Sequence, residues 1–386
     1  MKKPPLRSFR VKNFKAIKDS KNVRFGWLTV FIGNNGAGKS SLIEALETFR
    51  DTVLDGVDTA FRRWRGFEHV LNKSHNRSKI IKPPNCRDSY PHPMEFNFHW
   101  NSKNQDLKCR QTITLGSAEN TLFIQHEHIT EQHENPKKIW TREDNGNILE
   151  QFKPSSLPKL SDGKSLIKEF VRTSFERWQF LMLNPEIIGQ PTPQRRATNR
   201  IELSKDGSNV AEYLNEIKNL NLDTFNEIVE SLRYVLPYAV DLQPTLASEL
   251  ERAFYLKLKE QSYEIPGWLL STGTLRIVAI LACLRHPNPP PLLVIEEIEN
   301  GLDPRTLHLV VEEIRSAIAA GTTQVIFTTH SPYLLDLLDL SQIVVVERKN
   351  GQPTFHRPDV DQLAQWSKSF SPGKLYTFGR LTGMDQ

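Results

Sequence analysis

The chain has 386 residues, 38% hydrophobic and 25% charged, with a mean hydropathy of −0.46. That length can bury a sizeable core in two or three lobes. The longest apolar runs, such as Ile277 to Leu284, fall far short of the roughly 20 residues of a membrane helix and exclude a spanning role. The net charge of +5 is uneven: residues 1–110 hold 22 Lys/Arg against 10 Asp/Glu, and the remainder 28 against 35. A basic N-terminal third faces nucleic acid, ATP or simply solvent.

The start, MKKPPLRSFR, lacks the apolar stretch of a secretory signal. Cys86, Cys109 and Cys283 are odd in number and scattered, which fits a reducing, cytoplasmic setting better than a disulfide framework. SFRVKNF alternates as a strand that ends before Lys15. LTVFIG, Leu28 to Gly33, is a continuous apolar run, the mark of a strand covered on both faces. After the glycine-rich GNNGAGKSS, SLIEALETFRDTVL places Leu42, Ala45, Leu46 and Phe49 on one helical face.

Residues 70–93 read as loop, with Pro83, Pro84, Pro91 and Pro93. From Met94 to Phe152 the period changes to two in MEFNFHW, LKCRQTITL, TLFIQHEHIT and KKIWTRE, with a turn signal at Asp144-Asn145-Gly146. This pattern predicts an inserted antiparallel meander. A helix is expected over Ser165 to Arg177 and a strand at QFLMLNP, before the basic, Pro-rich loop Gln190 to Arg200. NVAEYLNEIKNL, TFNEIVESLRYVL and a segment near Ala247 to Leu258 are read as helices, making a helical lobe over 200–265. GWLLSTGTLRIVAILACL reads as strand, loop and helix. A strand at LLVI, a helix over Thr306 to Ala320, the strand QVIFTTH, a short helix at YLLDLL and a hairpin turning at Asn350-Gly351 complete the chain.

Gly33-Asn34-Asn35-Gly36-Ala37-Gly38-Lys39-Ser40, followed by Ser41, satisfies the phosphate-loop pattern G-x-x-x-x-G-K-[ST] between a strand and a helix. The glycines let backbone N–H groups approach phosphates, the helix start adds partial positive charge, Lys39 reaches the β- and γ-phosphates, and the Ser40 hydroxyl can ligate Mg²⁺. Downstream, LLVIEE runs a buried strand into paired carboxylates. Glu296 then falls at the strand's C-terminal end, where ligands of open α/β sheets sit, and is expected to support Mg²⁺. Glu297 follows, placed to orient or deprotonate the attacking water.

Taken together, the motifs resemble ABC-type ATPases of the RecF and chromosome-maintenance kind, including the OLD-like and "predicted ATPase" branches. Five elements stand in family order: the Walker A loop, LLSTGTLR as the ABC signature, LLVIEE as Walker B, NGLDP as the D-loop and FTTHSP with its switch histidine. The resemblance implies an α/β P-loop ABC-ATPase head, a single domain over 1–386. A β subdomain is inserted at 94–152, and residues 266–386 carry the signature, Walker B, D-loop, switch histidine and C-terminal hairpin. It implies ATP and Mg²⁺ as ligands and a head-to-tail homodimer. In that dimer Ser271, Gly273 and Thr274 of one copy would cap the ATP held by Lys39 of the other. Asp303 would cross the interface, and His330 would contact the γ-phosphate. Asn184 would take the Q-loop position near the metal. Taken singly, Ser271, His330 and Asp303 also fit capping or turn duties. Glu296 departs from the usual Walker B aspartate by one methylene.

About 230 residues separate Lys39 from Ser271, too few for long coiled-coil arms. A compact switch is therefore expected, one that controls a partner nuclease or toxin in genome maintenance or anti-phage defence. The alternative is a RecF-like clamp that binds DNA through the basic N-terminal third. There Arg62-Arg63-Trp64-Arg65 suits backbone and stacking contacts, unless Trp64 packs inward. A transporter subunit fits less well, because of the inserted meander and the TLR signature.

Overall fold

A computed structural model describes residues 3–74, 92–102, 105–115, 121–132, 138–142, 147–151, 153–154, 160–161, 163–194, 201–248 and 252–381. The turn signal at 144–146, Cys86, Pro83, Pro84, Pro91 and the basic residues 195–200 lie outside them. The chain forms two compact units, residues 1–177 with 344–358, and residues 178–343 with 359–386. Among the described residues no helix is long and apolar enough to cross a membrane.

The first unit is organised by an antiparallel sheet. Its strands run in the order Lys153–Pro154, Ile148–Glu150, Lys138–Arg142, Leu122–Gln132, Gln105–Leu115, Met94–Ser102, Leu6–Phe14 and Ile17–Asp19, with Val23–Arg24 also pairing Leu6–Phe14. The expected meander is thus continuous with the N-terminal strand, in the register Phe9↔Phe98 and Val11↔Phe96. Period-two alternation turns Phe9, Val11, Phe96, Phe98 and Trp100 to one buried face. The helix Lys39–Asp55 packs there through Phe49, whose ring centroid is 5.9 Å from Phe9, 5.5 Å from Phe96 and 5.2 Å from Phe98. Phe175, on the helix Lys168–Phe175, closes the cluster 5.3 Å from Phe98. Two short helices absent from the sequence reading, Val57–Arg62 and Phe67–Val70, follow the long one.

The strand Leu28–Ile32 is buried at every position and neighbours the hairpin Ile343–Lys349 and Gln352–His356. The hairpin turns where expected, with Asn350 and Gly351 both left-handed at φ 51° and 75°.

In the second unit, Gln179–Leu181, Leu292–Ile295 and Gln324–Thr329 pair in parallel, with Leu181↔Ile295 and Ile295↔Phe327 in register. Helices Val210–Leu220, Leu222–Val235, Thr272–Arg285 and Pro304–Ala319 belong to the same unit. Thr272–Arg285 is buried from Thr274 to Leu284, and Arg285 at its end is forked onto the Glu313 carboxylate.

Two expectations fail, the strand at the start of GWLLSTGTLR, where Gly267–Leu269 is a 3₁₀ turn, and one of the helices. The segment near Ala247 to Leu258, read as helix, contains the strand Ala253–Lys259, paired with Asp241–Leu246 and Glu264–Pro266. AFYLKLK alternates apolar and polar with period two, and burial follows it, with Phe254, Leu256 and Leu258 inside. The second half of the 200–265 lobe is therefore a small sheet rather than helix. The strand before the signature is Glu264–Pro266, and a 3₁₀ turn, Gly267–Leu269, separates it from the helix.

Candidate active site

The phosphate-loop pattern lies wholly in the first unit. Strand Leu28–Ile32 delivers the chain to Gly33, where a Cβ would stand 2.1 Å from the Val346 carbonyl oxygen. Only glycine lets the root of the loop sit so close to the hairpin. The turn closes with the Ala37 N–H donating to the Asn34 carbonyl at 3.1 Å, and Gly36 and Gly38 are left-handed at φ 73° and 115°. Asn34, Asn35, Gly36 and Ser40 are exposed, Ser41 half-buried and Lys39 buried. Lys39 Nζ donates to the Gly33 carbonyl at 2.7 Å and the Asn34 carbonyl at 3.2 Å.

The helix Lys39–Asp55 begins with no side-chain cap and no acid in its first turn. Its leading N–H groups and their partial positive charge are thus offered to an anion rather than spent on the chain itself. Uncapped helix start, left-handed glycines and a buried ammonium are together the donor set a polyphosphate requires.

The remaining predicted residues lie in the second unit. Leu292–Ile295 is fully buried and ends at Glu296, which is half-buried and donates its N–H to the Leu181 carbonyl at 2.9 Å. Glu297 is exposed and left-handed, at φ 49°. That conformation is uncommon for a non-glycine residue. The Glu297 N–H donates to Thr328 Oγ1 at 2.8 Å, and its carbonyl accepts from Arg276 at 3.2 Å and from the Asn300 N–H at 3.1 Å. Its carboxylate accepts from Asn300 Nδ2.

Arg276 is buried, and its second arm donates to the Leu183 carbonyl at 2.7 Å. Burial pulls its guanidinium below the ordinary arginine value, an effect the Glu297 and Glu299 carboxylates oppose.

Ser271 caps the helix Thr272–Arg285. Its Oγ accepts from the Thr274 N–H at 3.2 Å and shares a hydrogen with Thr274 Oγ1 at 2.7 Å. Ser271 is exposed, whereas Thr274 is buried with its hydroxyl committed to Ser271, so Thr274 supports the signature from behind. A Cβ on Gly273 would fall 2.4 Å from the Gly301 carbonyl oxygen, so signature and D-loop backbones touch.

Asp303 is exposed and caps Pro304–Ala319. It accepts from Thr306 Oγ1 at 2.6 Å and from the N–H groups of Thr306 and Arg305, and these donors, the hydroxyl first, hold its carboxyl below the usual carboxylate range. His330 is half-buried, and its backbone N–H donates to Glu299 Oε1 at 2.5 Å. Asn184 caps the short helix Pro185–Ile188, with its Oδ1 accepting from the Glu186 N–H at 3.1 Å. That local duty engages the oxygen suggested for the metal.

Sequence reasoning missed Arg276, Thr328, Asn300 and Glu299. One signal was present: Arg276 is the lone charge inside the apolar run from Leu275 to Leu284. The others act through contacts that no local pattern records.

In the Arg62 to Arg65 stretch, Trp64 and Arg63 engage their own unit, while Arg62 and Arg65 are exposed. Lys15 Nζ lies 3.7 Å from the centre of the Trp64 ring, Phe14 meets it edge-on at 6.2 Å, and Trp64 Nε1 donates to Thr48 Oγ1 at 3.2 Å. Arg63 is ion-paired with Glu47 at 3.0 Å and Asp51 at 3.3 Å. The inward-packing alternative is the one observed.

Comparison with known proteins follows the same lines. The family profile described as "AAA domain, putative AbiEii toxin, Type IV TA system" matches residues 28–336. A Helicobacter pylori protein named ATP/GTP phosphatase is 23% identical over 351 residues, 86% of this chain and 87% of its own. The Nod factor export ATP-binding protein I of Cupriavidus metallidurans is 28% identical over 144 residues, covering 37% of this chain and 43% of that protein. Among solved structures, an SMC head bound to the C-winged helix domain of ScpA superposes with a TM-score of 0.54 at 14% identity, covering 93% of this chain and 99% of that one. At that identity the likeness is one of fold: an α/β P-loop head with antiparallel additions.

Proposed function

We propose a function from a fixed premise: this chain belongs to the family described as "AAA domain, putative AbiEii toxin, Type IV TA system". It is a P-loop ATPase of the ABC and SMC-head class. Our further reading is that residues 1–386 act as one ATPase head that dimerises head to tail around ATP. The dimer works as a switch for a partner effector, a nuclease or toxin, in genome maintenance or anti-phage defence.

Lys39 and the N–H groups of the loop from Gly33 to Ser41 take the phosphates. Ser40 and Glu296 would supply oxygen ligands to Mg²⁺, which neutralises phosphate charge when bound. Glu297 polarises water, and His330 meets developing charge on the γ-phosphate. Ser271 and Gly273 of one copy cap the nucleotide of the other, and Asp303 links the two sites.

The observation that carries this reading is a combination in the second unit. Ser271, Glu297 and Asp303 are exposed, while the backbone under each is fixed by capping, by Arg276 and by the Gly273–Gly301 contact. Rigidly held reactive groups that face outward suit a ligand brought by a second copy. The absorption of Trp64 and Arg63 into the first unit weakens the DNA-clamp alternative.

The test is Glu297→Gln. It should bind ATP, hydrolyse it at least about 10²-fold more slowly, and accumulate an ATP-dependent dimer in light scattering. Turnover at the normal rate would refute the assignment.

A further inference from the structure

We infer that Arg276 is a positioning residue for hydrolysis, fixing the Glu297 backbone from the signature helix so that the aim of Glu297 depends on how that helix is seated. The inference rests on the role proposed for Glu297.

The guanidinium is planar, with N–H groups diverging in a fixed fork. One arm reaches the Glu297 carbonyl at 3.2 Å and the other the Leu183 carbonyl at 2.7 Å. These acceptors belong to different strands' ends, Leu292–Ile295 and Gln179–Leu181, and Arg276 is the side chain that ties both to a third element. It lies one turn into the helix that Ser271 caps, beyond the Gly273 that rests on Gly301. A shift of that helix therefore pulls at once on the D-loop backbone and on the Glu297 peptide.

The Glu297 peptide is the sensitive point. Its left-handed conformation, φ 49°, is held by Thr328 on the N–H side, and by Arg276 and the Asn300 N–H on the carbonyl side. Removing the arginine frees a residue that ordinarily avoids this region to relax out of it. The carboxylate then swings with the backbone, and small misplacements of a reacting group are costly in rate. A buried cation whose hydrogen bonds go to two backbone carbonyls, with no ion pair within 4 Å among the described residues, is an expensive way merely to fill space.

The experiment uses the full chain. Steady-state Mg-ATP hydrolysis, binding of a fluorescent ATP analogue and thermal unfolding are measured for Arg276→Lys, Arg276→Ala, Glu297→Gln and the Arg276→Lys/Glu297→Gln double variant. A lysine offers a point charge that reaches one carbonyl well but cannot bridge two. Arg276→Lys should lower kcat at least about tenfold, with KM and analogue binding within about threefold of the parent. Added to Glu297→Gln, it should change the residual rate less than about twofold, because both act through one group. Millimolar guanidinium should restore part of the kcat of a folded Arg276→Ala; if that variant does not fold, Arg276→Lys and the double variant decide the matter.

Parent-like kcat in Arg276→Lys, or full additivity with Glu297→Gln, would overturn the inference while leaving the Glu297 assignment standing. Normal turnover in Glu297→Gln would instead remove both.

Discussion

Gly273→Ala puts the signature geometry to a direct test. The added Cβ would lie 2.4 Å from the Gly301 carbonyl oxygen, about 1 Å inside ordinary van der Waals contact. The obstacle is backbone, so no side chain can rotate out of the way. Either the first turn of Thr272–Arg285 lifts, or the Asn300-Gly301-Leu302 segment retreats. Overpacking of this kind costs about 1–3 kcal/mol. In a unit of roughly 200 residues each kcal/mol is worth about 2–4 °C of Tm, so the melting point should fall by several degrees. A displacement near 1 Å beside the reacting groups should lower kcat on the order of 10²-fold. Nucleotide binding, which we assign to the first unit's phosphate loop, should survive. The assays are a thermal melt, ATP hydrolysis and binding of a fluorescent ATP analogue, run on one preparation. A Gly273→Ala protein with parent-like Tm and parent-like hydrolysis would show that the signature and D-loop backbones do not touch, and the coupling built on that contact would fall with it.

Two further outcomes follow from groups in the first unit. Lys39→Ala removes the ammonium that Gly33 and Asn34 hold beneath the loop, and fluorescent ATP affinity should fall at least about tenfold; unchanged affinity would refute the phosphate-loop role. Glu127 is wholly buried, and burial pushes its carboxyl above the ordinary glutamate value although Ser165, Leu166 and Ile167 donate to it. The folded state therefore binds the proton more tightly than the unfolded. The associated stability is full below the unfolded pKa and is lost as pH rises through the folded one. The urea midpoint should decline over that window in the parent and much less in Glu127→Gln; identical slopes would contradict the burial argument.

The sequence carried what is contiguous. The loop from Gly33 to Ser41 and the LLVIEE strand end are readable because strand, turn and helix follow one another without a gap, so local rules are enough. The meander was readable because Phe96, Phe98 and their neighbours alternate. The misjudged segment near Ala247 to Leu258 shows where this stops. Its first part, ASELERA, is rich in helix formers, and AFYLKLK behind it is not. Pairing with Asp241–Leu246 decides the matter, and that pairing is a tertiary fact. Arg276 marks the same limit at the candidate site. A lone charge in an apolar helix announces that it must be satisfied, but not that its partners are the carbonyls of Leu183 and Glu297.

Ser271 and Asp303 show why a capping duty and a functional duty need not compete. Each is an N-cap, and each is exposed. Capping fixes the side chain at the head of a helix, where the leading N–H groups and the partial positive charge also lie. Ser271 thus stands at the N-terminus of Thr272–Arg285, the end suited to a phosphate, with its hydroxyl oriented by buried Thr274. Asp303, whose carboxylate accepts from Thr306, stands at the edge of the D-loop whose backbone meets Gly273. In the proposed dimer, a free serine or aspartate on a loop would have to be ordered on association, at a cost of about 0.5–1.5 kcal/mol per side chain. A cap meets that cost during folding. The local structural role, which on sequence alone looked like the rival explanation, is the means by which these two groups are presented in a fixed pose.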